Sequence, residues 1–109
     1  MANTFQGYDI AAQRTASLLP PQEHLIRGTL GLVGESGEYA DMVKKQLFHA
    51  HAPNREKALD ELGDILWYIA DAARAWGSDI GDVANRNIDK LMRRYPDGFS
   101  AERSVNRAE

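Results

Sequence analysis

Two pairs of acidic residues, each spaced i, i+3, constrain this chain more than any other feature: Glu35-Ser-Gly-Glu38 and Glu61-Leu-Gly-Asp64. That spacing sets both members of a pair on one side of a helix. Each pair is embedded in an apolar pattern of helical period. Leu62, Ile65, Leu66, Ile69, Ala72, Ala73 and Trp76 form one stripe, flanked by Glu61, Asp64, Tyr68 and Asp71. Leu25, Leu32, Tyr39, Val43 and Leu47 form a second, beside Glu35, Glu38 and Lys45. An acid bordering an apolar stripe needs a partner or a metal ion. For a single acid, the solvated edge of an amphipathic helix is the better explanation. For two matched pairs on helices able to face each other, four oxygen ligands for Mg²⁺ is the better one, and Mg²⁺ commonly accompanies phosphate substrates.

Prolines punctuate the rest. Pro20-Pro21, Pro53 and Pro96 fall at helix boundaries and leave four helical segments. The first runs from Thr4, an N-cap, to about Ser17. The second begins after Pro21 and reaches about His49. The third follows the N-cap Asn54 to about Trp76, with Gly77 as its stop, and the fourth runs from Ser78 or Asp79 to Tyr95. β-branched alternation is absent, so the expected fold is all-α, a bundle of about four helices in one domain covering 1–109, with a polar, frayed tail from about 101. The short His51-Ala-Pro-Asn54 connection makes the second and third helices antiparallel neighbours and brings their acidic flanks together. Gly28, Gly31, Gly34 and Gly37 each cost about 1 kcal/mol relative to alanine in a helix interior. Either they permit a close approach by a backbone or ligand, or the helix is interrupted before Glu35.

The net charge of -3 gives no basic surface for nucleic acid, and the absence of cysteine excludes disulfides and thiolate metal sites. No stretch has the length of a membrane span, and the N-terminus carries no secretory pattern, so a cytoplasmic location is expected. An anionic substrate would then depend on metal and local cations. Asn87, Lys90 and Arg94 share a helix face, with Arg93 and Tyr95 adjacent, and Lys44 and Lys45 follow the first acidic pair. Cations near a helix C-terminus also offset the macrodipole, which explains them without a ligand. Trp67 lies about 160° around its helix from the stripe centre at Ile69, as an intersubunit contact or a base platform, whereas Trp76 is assigned to packing. His49 and His51 read as solvated loop residues outside the site. A di-iron bundle would require Glu-x-x-His, and none of His24, His49 and His51 has a glutamate three residues before it.

Three ordered blocks carry a family resemblance: Gly-Glu-Ser-Gly-Glu-Tyr-Ala-Asp at 34 to 41, Asp-Glu-Leu-Gly-Asp-Ile-Leu-Trp-Tyr-Ile-Ala at 60 to 70, and Asn-Ile-Asp-Lys-Leu-Met-Arg-Arg-Tyr-Pro-Asp-Gly-Phe at 87 to 99. Together they resemble the MazG-like all-α nucleoside triphosphate pyrophosphohydrolases, over about Tyr8 to Ser100. The resemblance implies hydrolysis of an NTP or dNTP to the nucleoside monophosphate and pyrophosphate, as in nucleotide-pool house-cleaning. It gives Glu35, Glu38, Glu61 and Asp64 the role of Mg²⁺ ligands, with Mn²⁺ as a substitute, and these four are the candidate catalytic residues, Glu38 as general base. It gives Asn87, Lys90, Arg94 and Tyr95 contacts to phosphate or sugar, to which Lys45 and Trp67 are added as candidate substrate-binding residues. It also implies a homodimer or homotetramer whose site lies where subunits meet. The alternatives are a hydrolase of another nucleotide phosphate and a non-catalytic helical interaction module.

Overall fold

Polar caps set most of the helix starts. In the computed structural model, which describes residues 4–99 and 101–105, the Thr4 hydroxyl accepts the Gly7 N–H at 3.0 Å and opens α1 (Phe5–Gln13). Pro21 opens α2 (Pro21–Phe48), its fixed φ suiting the first turn. The Asn54 side chain accepts the Lys57 N–H at 3.0 Å before α3 (Arg55–Ala75), and the Asp79 side chain accepts the Asp82 N–H at 2.8 Å before α4 (Ile80–Arg94). Gly77, at φ 76°, ends α3 in a left-handed turn in which the Ser78 N–H returns to the Ala73 carbonyl at 2.9 Å. A short α5 (Ala101–Val105) stands where the sequence suggests a frayed tail, and residues 106–109 of that tail lie outside the described residues. The first helix stops at Gln13, earlier than Ser17, because Thr15 turns its hydroxyl back onto the Ala12 carbonyl at 2.7 Å. No β-strand occurs among the described residues, and the fold is an all-α bundle.

α2 runs unbroken through all four of its glycines and packs antiparallel along α3. Two of those glycines permit that packing. A Cβ on Gly28 would lie 3.0 Å from the Ala72 Cα, and one on Gly31 would enter the Tyr68 ring. Gly34 and Gly37 have open space around them. α1 and α4 pack against each other and against α3.

The apolar core is thin. Ala12, Met42, Ala70, Ala73 and Ile80 are the buried hydrophobic residues described. The stripes read from sequence therefore need correcting at their ends: Leu47 is 69% exposed and Trp76 is 78% exposed. Trp76 caps α3 with non-helical dihedrals, so it leaves the stripe it was assigned to, and one chain supplies no layer over either residue.

A buried carboxylate joins the helices. Asp71 on α3 is fully buried and accepts from Arg27 Nε at 3.0 Å and Nη2 at 2.9 Å, from His24 Nε2 at 2.9 Å and from Arg74 Nη2 at 3.5 Å. Arg27 Nη1 also donates to the Ser17 carbonyl at 2.9 Å and the Ser17 hydroxyl at 3.0 Å, holding the α1–α2 linker. Arg74 Nη1 reaches Asp9 on α1 at 2.6 Å. Burial alone would push the Asp71 carboxyl up. The hydrogen bonds and charges of Arg27 and His24 outweigh it and leave the group below its ordinary 3.8.

Two expectations follow. Asp71→Asn leaves two arginines facing a neutral amide and should cost about 3 kcal/mol or more in urea denaturation. Because the native carboxyl titrates below its unfolded value, this contribution is complete above pH 3.8 and is lost as pH falls through the folded value. The stability gap between wild type and Asp71→Asn should therefore narrow in acid. Gly31→Ala should lower the melting temperature by forcing Tyr68 aside, with a cost of about 1–3 kcal/mol; an unchanged melting temperature would contradict the close packing of Gly31 on Tyr68.

Candidate active site

Antiparallel pairing of α2 and α3 brings the two acidic motifs to one level. Glu35, Glu38 and Glu61 each present a carboxylate oxygen within 4.8 Å of the other two. Glu35 Oε2 and Glu61 Oε2 are buried without a hydrogen-bond partner, while Glu38 is exposed. Desolvation raises the Glu35 carboxyl above its ordinary value, and repulsion from Glu38, Asp64 and Glu61 raises it further. Asp64 stands outside the three-residue cluster but lines a cavity with Glu35. Buried, crowded and unpaired carboxylate oxygens of this kind suit a divalent cation, which would satisfy the orphaned atoms and cancel the repulsion.

The acids form a band between two unlike cavities. One, of about 320 Å³, is lined by Glu35, Asp64, Trp67 and Tyr68. The other, of about 450 Å³, lies at the α2–α3 connection and is lined by Glu38 and Glu61 together with Lys45, Lys57, His51 and Asn54 among others. Lys45 pairs with Asp41 at 2.9 Å, and Lys44 approaches the same carboxylate at 3.5 Å. The hydrogen bond from Lys45 is the main reason that Asp41 titrates below its ordinary value.

Trp67 is more constrained than the sequence suggests. Its Nε1 donates to the Thr15 hydroxyl at 2.8 Å, the Arg27 guanidinium lies 5.9 Å over its ring, and Tyr68 meets it edge-on at 4.9 Å. Asp71 thus reaches the smaller cavity through Arg27 and Trp67. Tyr8 on α1 faces the same region: burial raises its phenol, Arg74 opposes that rise, and Asp64 and Asp9 add to it, so the hydroxyl stays protonated.

The α4 residues are placed differently. Asn87 is exposed, Lys90, Arg94 and Tyr95 are half-buried, and all four line neither of the two cavities. Tyr95 instead stacks on Phe99 at 5.4 Å across a turn closed by the Gly98 N–H on the Tyr95 carbonyl. Lys57 was not singled out in the sequence, and His51, read there as a solvated loop residue outside the site, lines the larger cavity. Lys57 precedes Glu61 by one helical turn on the same face, a signal that was available. His51 carries none, since its place depends on how α2 ends.

Fold and acidic cluster together define an all-α helical bundle with a candidate divalent-metal site on its α2–α3 pair. Residues 24–99 match the MazG nucleotide pyrophosphohydrolase domain. The chain is also 37% identical over 110 residues to Gene 37 protein of Mycobacterium phage L5, covering 92% of this chain and 96% of that protein. No solved structure matches it. The chain belongs to the MazG nucleotide pyrophosphohydrolase family, and the three blocks read from sequence all fall inside the matched segment.

Metal binding has a readout independent of turnover. Titration with Mg²⁺ or Mn²⁺ should raise the melting temperature, with about 2.7 kcal/mol of added stability at a hundredfold excess over Kd. Glu61→Gln should remove most of that shift. A wild-type protein indifferent to both ions would count against the metal reading.

Proposed function

We propose that this protein is a Mg²⁺-dependent nucleoside triphosphate pyrophosphohydrolase that cleaves NTPs or dNTPs to the monophosphate and pyrophosphate and serves nucleotide-pool house-cleaning. The observation that carries the reading is the band of acids with two buried carboxylate oxygens left unpaired, set between an aromatic cavity and one in which Lys45, Lys57 and His51 stand beside Glu38, Asp41 and Glu61. Glu35, Glu38, Glu61 and Asp64 would hold the metal. Bound there, Mg²⁺ neutralises carboxylate and phosphate charge and polarises a phosphoryl oxygen.

The chain's own groups supply the remaining parts. Glu38, the exposed member of the cluster, accepts the proton of the attacking water as its oxygen bonds to the α-phosphorus. The bond from that phosphorus to the α,β-bridging oxygen breaks, and pyrophosphate departs with the electron pair. Lys90 and Arg94, with Asn87 and Tyr95, contact phosphate or sugar from the α4 helix of a second subunit, because within one chain they line neither cavity. Trp67 stands at the nucleoside side and Lys45 at the phosphate side.

A homodimer or homotetramer accords with the packing. Ile26, Leu30 and Val33 on α2, and Ile88 and Met92 on α4, are exposed apolar residues at helical spacing. The radius of gyration is 16.8 Å, against about 13 Å for a compact chain of this length. We take 1–109 as one domain, since the Asp9–Arg74 pair ties α1 to the matched segment.

Glu38→Ala should abolish triphosphate turnover while leaving helicity by circular dichroism unchanged. A folded, active variant would remove Glu38 from the mechanism. If the wild type consumes no triphosphate from a panel of common and modified NTPs and dNTPs, the reading passes to another nucleotide phosphate or to an interaction module.

A further inference from the structure

The two cavities flanking the acids differ in chemistry, and that difference gives the site a direction. The smaller one offers Trp67 and Tyr68 and no cationic lining residue. The larger one offers Lys45, Lys57 and His51 beside Glu38, Glu61 and the lysine-paired Asp41, and no aromatic ring other than the imidazole. We propose that the larger cavity is the seat of the two phosphates released as pyrophosphate, and that Lys57 and His51 are binding residues for them. This rests on the hydrolase reading above and adds residues that neither the acidic motif nor the α4 cation set contains.

Spacing supports the assignment. On α3, Lys57 lies four residues before Glu61, a rise of about 6 Å, whereas Tyr68 lies seven residues after it, about 10 Å in the opposite direction. A triphosphate with its α-phosphate at the acids therefore places its β- and γ-phosphates one helical turn away, beside Lys57, and its nucleoside beside the rings. The reverse orientation would press an anionic tail against Trp67 and Tyr68 with no cation lining that cavity.

Charge availability separates the two lysines. Lys45 is already engaged by Asp41, whereas Lys57 makes no ion pair with any described residue. Its ammonium is thus available to an incoming anion. The His51 position follows from the way α2 ends. His49 and His51 both donate their backbone N–H to the Lys45 carbonyl, at 3.0 and 3.2 Å, around Ala50 at φ 57°. This left-handed reversal folds the chain back over the last turn of α2 and puts His51 on the cavity wall.

The test uses the full chain and its Lys57→Ala, His51→Ala and Lys57→Arg variants. Inhibition by inorganic pyrophosphate and by nucleoside monophosphate is measured in Mg²⁺ during triphosphate hydrolysis. Lys57→Ala and His51→Ala should each raise the pyrophosphate inhibition constant and the triphosphate KM about tenfold. Lys57→Arg should retain most of the wild-type values, and monophosphate inhibition should not change. An active protein whose Lys57→Ala and His51→Ala variants keep wild-type pyrophosphate inhibition overturns the proposal, as does weakened monophosphate inhibition, which would put the nucleoside in this cavity. If the wild type hydrolyses no triphosphate, the hydrolase reading fails separately. Calorimetric binding of Mg²⁺–pyrophosphate then decides the cavity's role: binding to wild type lost in Lys57→Ala supports it, and no binding ends it.

Discussion

Asp71 is the residue on which the arrangement of α1, α2 and α3 depends. A carboxylate without solvent is tolerated only when its charge and lone pairs are fully met, and here two arginines and a histidine meet them. The ligands come from α2 and α3, and their remaining donors reach Ser17 and Asp9. One group therefore fixes the height of α2 against α3 and brings α1 alongside. A core of mostly small residues supplies little shape specificity of its own, so the register of the helix pair rests on this network and on the close approach of Gly28 to Ala72. Once that register is set, Glu35 and Glu38 can only fall opposite Glu61 and Asp64.

The acidic band inherits its electrostatics from this packing. Drawing α2 and α3 together leaves Glu35 and Glu61 each with an oxygen out of water and without a donor, and like charges crowd around Glu35. Folding thereby stores an unfavourable term that a divalent cation would reverse. The same register connects the network to the site. Arg27, held by Asp71, lies over Trp67, which Thr15 also fixes, so the aromatic wall of the smaller cavity is oriented before any ligand arrives. At the other end, the reversal at Ala50 brings His51 toward Lys57 and Lys45. The two ends of the site are thus built by different devices, an ion-pair network at one and a helix terminus at the other.

Much of the fold was legible in the sequence because it depends on local signals. Thr4, Asn54 and Asp79 cap helices as their side chains suggest, Gly77 ends α3, and Pro21 opens α2. The proximity of Glu35, Glu38 and Glu61 followed from i, i+3 spacing and one short connection. What was hidden depends on contacts distant in sequence. Asp71 reads as one more flanking acid until α2 delivers His24 and Arg27 to it across more than forty residues. Trp76 fits the apolar period and yet is exposed, because periodicity says which face a residue takes and not whether anything covers that face. The grouping of Asn87, Lys90, Arg94 and Tyr95 with the acids follows from sequence blocks alone, and these four line neither of the two cavities beside the acids.

The most direct measurement is the product balance of the wild-type protein given Mg²⁺ and a nucleoside triphosphate, resolved by anion-exchange chromatography with and without a chelator. Equal yields of nucleoside monophosphate and pyrophosphate, abolished by chelation, are the expected result. Diphosphate with inorganic phosphate, or products that form equally well without the metal, would contradict cleavage between the α- and β-phosphates by a metal held at Glu35, Glu38, Glu61 and Asp64.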